Sequence, residues 1–178
     1  MKTKQLLLSI IALMILACSA PAALNAYLRA DGITGDTTQN AYQGMVTIIG
    51  YNHEVDAVRD SAGAPTGRRQ HAPFKILKPV TVNSPQFADL LVSNRSIETA
   101  DLKLMQASPS GVETNYYTYH FTGVHIISIR NWMANNEDPT VQRFPALEEI
   151  SFTYDTIRWE SVTGETSASD SPSRNTGL

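Results

Sequence analysis

The sequence predicts a mainly β fold carrying one short α-helix. From Ala26 onward the chain runs as short segments of alternating or aromatic character, broken by clusters of Gly, Pro, Asn and Asp, the pattern of half-buried strands and their turns. A helix start is clear in one place only, at Ser84-Pro85. The length of 178 residues suits one domain with a core that needs no crosslink. The single cysteine, Cys18, excludes an intramolecular disulfide and a Cys-rich zinc site.

The first 23 residues differ from the rest. Lys2 and Lys4 precede an uncharged, apolar run from Leu6 to Leu16, followed by Ala17-Cys18-Ser19-Ala20-Pro21-Ala22-Ala23, which is the layout of a secretory signal peptide. As a helix the run spans roughly 16 Å at about 1.5 Å per residue, short of a hydrocarbon core of about 30 Å. Ile15-Leu16-Ala17-Cys18 resembles a bacterial lipobox, which makes Cys18 a candidate site of lipid attachment. Cleavage after Ala20-Pro21-Ala22 is the competing expectation, and it discards Cys18.

Ala26 to Ala30 is a short strand ended by Asp31-Gly32. Met45 to Val55 alternates over a length that predicts one long strand. Residues 56 to 72 are turn-rich and predict a long loop. Phe74 to Val82 is extended, with Pro73 and Pro79 confined to ends, edges or bulges because they lack an N–H for the ladder. Ser84 as N-cap and Pro85 at the first helical position open the helix, Phe87, Leu90 and Leu91 form its apolar stripe, and Asn94 marks its end. Thr99 to Met105 and Tyr116 to Phe121 alternate as strands around the turn Pro109-Ser110-Gly111, and Gly123 predicts a bend before a further strand from His125 to Ile129. Ile150 to Trp159 changes its apolar face midway, which predicts a bulge. Residues 161–178 hold no aromatic residue and five serines, so they predict a disordered polar tail beyond a domain of residues 24–160.

Charge and motifs narrow the function. The chain has 14 basic and 17 acidic residues; without Lys2 and Lys4 the balance is 12 against 17, a net of −5, which disfavours nucleic acid as a partner. The four histidines are scattered, and His120 and His125 would face apart on a regular strand. Glu148 and Glu149 are adjacent in an extended segment, so they face apart and suit solvated or interface charges better than an acid/base pair. There is no nucleophile elbow and no phosphate-binding Gly pattern. The aromatic set Tyr116, Tyr117, Tyr119, Phe121, Phe152, Tyr154 and Trp159 suits a barrel core better than a stacking platform. The expectation is of a protein that is not an enzyme and needs no metal or cofactor.

Taken in order, these features resemble the Hcp family, the tube protein of the bacterial type VI secretion system. The resemblance runs from Ala26 to Glu160. It rests on Tyr27-Leu28-Arg29-Ala30-Asp31-Gly32-Ile33-Thr34-Gly35, on Gly44, on Gly67-Arg68-Arg69-Gln70-His71-Ala72-Pro73-Phe74-Lys75-Ile76-Leu77-Lys78-Pro79, and on Ser84-Pro85. It continues through Tyr116-Tyr117-Thr118-Tyr119, Ile127-Ser128-Ile129-Arg130, and Leu147-Glu148-Glu149-Ile150-Ser151-Phe152-Thr153-Tyr154-Asp155-Thr156-Ile157-Arg158-Trp159. The resemblance implies an Hcp-like β-barrel of two packed antiparallel sheets with one short helix, assembled as hexameric rings. It also implies rings stacked with themselves into a tube, with sheath, spike and small effector proteins as partners. The loop from Asp56 to Ala72 is then the candidate ring-stacking segment, with Arg68, Arg69, Gln70 and His71 as its candidate contact residues. The leader departs from the family, whose members begin shortly before the first strand. It adds the alternative of an exported, lipid-anchored ring that binds or adapts at the envelope without being propelled, in the periplasm or outer membrane in place of secretion, with membrane contact only through an acylated Cys18.

Overall fold

Strand by strand, the chain builds two antiparallel sheets that share one long strand. The structure is a computed structural model and describes residues 25–172 apart from 109–110, 136, 139 and 141–144, without the side chains of Asn40 and Arg68. The leader, including Cys18, therefore lies outside the described residues, as do the last six residues of the tail. The strands are β1 (Ala26–Ala30), β2 (Val46–Ile48), β3 (Gly50–Asn52), β4 (Val55–Arg59), β5 (Pro65–His71) and β6 (Phe74–Pro79), then β7 (Ile97–Ala107), β8 (Glu113–Trp132), β9 (Leu147–Thr153), β10 (Thr156–Ser161) and β11 (Thr166–Asp170). Helix α1 (Ser84–Ser93) lies between β6 and β7, and a 3-10 turn covers Asn40–Tyr42.

The first sheet runs β2-β1-β7-β8-β10-β11 and the second β3-β6-β9-β8, with β4 and β5 forming a separate hairpin. Strand β8 belongs to both: residues 113–124 pair with β7, and residues 125–132 pair with β9. On the other side β2 and β3 are consecutive in the chain, and between them the Ile49 N–H donates to the Leu77 carbonyl at 2.9 Å. The path of strands thereby closes into a barrel. Its interior is filled by Leu28, Val46, Phe74, Ile76, Leu102, Phe121, Ile150, Phe152 and Ile157, each large side chain contributing about 1.5–3 kcal/mol on burial. Tyr119 and Tyr154 join this core, with Tyr116, Tyr117 and Trp159 packed against it. The aromatic set is core, as its period-two spacing suggested.

Several elements differ from the sequence expectation. Residues 45–55 form three short strands in place of one, because β2 pairs with β1, β3 with β6 and β4 with β5. The face change within 150–159 is a corner at Tyr154-Asp155, not a bulge: β9 belongs to one sheet and β10 crosses to the other. Helix α1 starts one residue earlier than expected, with Asn83 at the N-cap position and Ser84 as its first residue. The Ser84 hydroxyl is engaged elsewhere, donating to Glu148 Oε1 at 2.7 Å. Asn94 ends the helix in the left-handed region with φ 51°, as a helix C-terminal residue of its kind does.

The polar stretches change most. Residues 56–72 are a hairpin, not a loop, closed by an Asp60 turn in which Oδ1 accepts the N–H of Ala62 at 2.9 Å and of Ala64 at 2.8 Å. The expected polar tail begins with structure: β10 extends through Ser161, and Thr166–Asp170 pairs with it from Ser161↔Thr166 to Ile157↔Asp170. A segment whose one apolar residue is Ala168 cannot make its own core, but the open edge of β10 supplies a ladder for its backbone groups.

Candidate assembly surface

The β4–β5 hairpin stands off the barrel. Every residue from Asp56 to Gln70 whose side chain is described is exposed, including Val58 at 40%. Its register is Val55↔His71, Asp56↔Gln70 and Ala57↔Arg69, with a shift before Arg59↔Pro65. A two-stranded ribbon with no buried face is marginal alone. What holds it lies at its base.

There the guanidinium of Arg69 binds Asp170 through two hydrogen bonds, Nε to Oδ2 at 2.6 Å and Nη2 to Oδ1 at 2.8 Å. His71 meets the same carboxylate through Nε2 at 3.2 Å, and its Nδ1 stands 2.8 Å from the Tyr154 hydroxyl. These partners fit the tautomer in which Nε2–H donates to Asp170 and Nδ1 accepts from Tyr154, an assignment made from the hydrogen-bond network. Burial works to raise the Asp170 carboxyl, but the hydrogen bonds from Arg69, the Ser171 N–H and His71 outweigh it and hold the group below its ordinary value. Burial, and next the Asp170 charge, push the Tyr154 phenol up.

On the other leg of the hairpin, His53 sits among rings, 5.1 Å from Phe74 and 5.7 Å from Tyr119 by centroid. Its Nε2 accepts from the Trp159 indole N–H at 3.3 Å, while its buried Nδ1 has no partner among the described residues. Burial first, and the neighbouring His71 second, hold its pKa below the ordinary value. Both histidines therefore flank the point where the hairpin leaves the barrel.

Of the residues singled out from sequence, Arg69 and His71 are brought together on Asp170. Gln70 points to solvent. Arg68 lies on β5, but its side chain, like Cys18, falls outside what is described. Asp170, Tyr154 and His53 were missed. Asp170 is 101 positions from Arg69 within a stretch that looks like tail, so no local signal marks it.

The other constellations are structural. Glu148, expected as a solvated or interface charge, is instead 1% exposed and bound to the fully buried Lys78 at 2.7 Å; Lys78 also donates to the Pro79 carbonyl at 2.7 Å. His120 bridges two carboxylates, Asp101 at Nδ1 and Glu160 at Nε2, each at 2.7 Å. Among the described residues no group of three His, Cys, Asp or Glu is placed to hold a metal, and no helix is long and apolar enough to cross a membrane.

A family model described as "Type VI secretion system effector, Hcp" matches residues 27–160. The chain belongs to the Hcp family. It is 34% identical over 137 residues to the "Major exported protein" of Pseudomonas aeruginosa, which covers 76% of this chain and 80% of that one. Among solved structures it is similar to a crystal structure of an Hcp protein, with TM-score 0.77, 18% identity, and coverage of 86% of this chain and 99% of that one. It is also similar to the Hcp1 protein of E. coli EAEC 042, with TM-score 0.72, 22% identity, and coverage of 86% and 99%. The resemblance over Ala26 to Glu160 and the family match thus cover the same stretch, and the mainly β, two-sheet architecture is the Hcp fold.

Proposed function

We propose that this chain is a structural subunit of a type VI secretion tube. Six copies close a ring, rings stack through the β4–β5 hairpin, and the stack carries or propels small effectors alongside sheath and spike proteins. Membership of the Hcp family supports the setting. The observation that carries the assembly reading is the hairpin itself, exposed from Asp56 to Gln70 wherever its side chains are described and lacking a partner face among the described residues. Copies related by rotation cover a heterologous surface by closing a ring, and copies related by translation cover it by stacking. Arg68, Arg69, Gln70 and His71 lie on the strand that would face the next ring, with Arg69 and His71 already committed to Asp170 within the subunit. No catalytic step or cofactor enters this reading.

Native mass spectrometry and negative-stain imaging of the full chain test it. The expected result is a hexamer that forms stacks at high concentration, with stacking but not ring closure lost on deletion of residues 60–64. A strict monomer at high concentration overturns it.

The leader-like Lys2, Lys4 and Leu6–Leu16 segment favours a second reading, an exported ring held at the envelope. The mass of the mature N-terminus separates the two: an intact Met1 supports a tube built before export, and an acylated Cys18 supports the anchored ring.

A further inference from the structure

We infer that the C-terminal strand β11 is a brace that aims the β4–β5 hairpin, with Asp170 as its positioning residue. The main contacts of β4 and β5 are with each other, and every side chain described from Asp56 to Gln70 is exposed. Three of the polar ties that reach from β5 to the barrel converge on one carboxylate: both hydrogen bonds from Arg69 and one from His71 end on Asp170, while His71 Nδ1 meets the Tyr154 hydroxyl. Two parallel hydrogen bonds from a guanidinium fix an angle as well as a distance. Asp170 thus sets the plane of the hairpin in a way that a single contact would not.

The brace is itself held at both sides. Strand β11 pairs with β10 along five residues, with Asp170 opposite Ile157 of the core. Just beyond, the Ser171 N–H donates to Asp170 Oδ1 at 2.9 Å and the Ser171 hydroxyl donates to the Asp155 carbonyl at 2.7 Å. The carboxylate is therefore fixed to the corner between β9 and β10, and through it the hairpin takes its direction from the barrel. Asp170 is 13% exposed whereas Arg69 is 48% exposed, so the fixed partner is the carboxylate and the held partner is the hairpin.

The consequence for assembly rests on the stacking role proposed above; the bracing geometry does not. Loss of the carboxylate frees the hairpin and removes the defined surface that a neighbouring ring would meet, while leaving the barrel intact.

Hydrogen exchange of the full chain, read together with ring stacking, tests this. In Asp170→Asn, exchange of amides in 55–71 should rise by about tenfold or more, the scale of losing a charge-assisted pair, with β6, β7 and β9 unchanged. Stacks should be lost and rings kept. Arg69→Gln, which removes the same contact from the exposed side, should reproduce both effects, and Ser169→Ala, one residue away on the opposite face of β11, should produce neither. Unchanged hairpin exchange in Asp170→Asn overturns the brace, and so does a rise spread evenly over the barrel. If the hairpin is released but the unaltered protein never stacks, the brace stands and the stacking role falls.

Discussion

Lys78 and Glu148 show how one pair of residues can carry much of a fold's specificity. Both are buried, and the ammonium is shared among Glu148 Oε1, the Pro79 carbonyl and the hydroxyls of Thr81 and Ser84. The pair joins β6, β9 and the start of α1. Removing one partner strands the other charge away from water, at a cost of about 3–5 kcal/mol. Lys78→Met should therefore lower Tm by roughly 6–20 °C in a domain of this size, and Lys78→Met with Glu148→Leu should recover most of the loss in thermal melts. A single variant as stable as the parent would show that water reaches the site. His53 gives a pH prediction. Its folded pKa is below the ordinary value, first because of burial, so the unfolded chain takes up a proton that the fold resists. Stability should be complete above about pH 6.5 and fall as the pH drops below that value. His53→Phe should flatten the decline of Tm between pH 7 and 5, and an unaltered slope would assign the decline to other groups.

At the scale of elements, the corners decide the barrel. Gly123 has φ 59°, and a Cβ there would lie 2.1 Å from Asp155 Oδ2. The Asp155 N–H donates to the Thr122 carbonyl at 2.9 Å, so the β9–β10 corner sits directly on the point where β8 passes between sheets. Gly123→Ala should cost about 1–3 kcal/mol from the left-handed backbone alone, with further loss from displaced Asp155. Gly123→Ala with Asp155→Ala should recover the second part, measured as denaturant midpoints; equal midpoints for the single and double variants would remove the clash from the account. This bend was legible because glycine within an alternating strand has few other uses. The end of α1 was legible at Asn94 for a similar reason. The breaks at Ile49 and at Tyr154-Asp155 were not, since neighbouring residues on either side favour extended backbone and only the choice of partner strand divides them.

For the whole molecule, the barrel satisfies its own core, and the hairpin is what remains outside it. That division is why assembly is the function proposed, and why the native-mass experiment bears on the entire reading and not on one residue. The candidate site was half legible. Arg69 and His71 were visible as part of a family-like run, but their shared partner Asp170 lies beyond residue 160, where the family match ends. Alternation, turn residues and the Ser84-Pro85 start determined from sequence alone that the chain is mainly β with one helix, and the ordered set of family-like residues determined its kinship. Only the tertiary structure decided that 45–55 serves three partners, that 56–72 is a hairpin, and that the polar stretch 166–170 is a strand bearing the carboxylate that holds it. Periodicity records which face of a segment is buried, whereas strand pairing and ion pairing depend on backbone and charged groups that meet across about a hundred residues and leave no period behind.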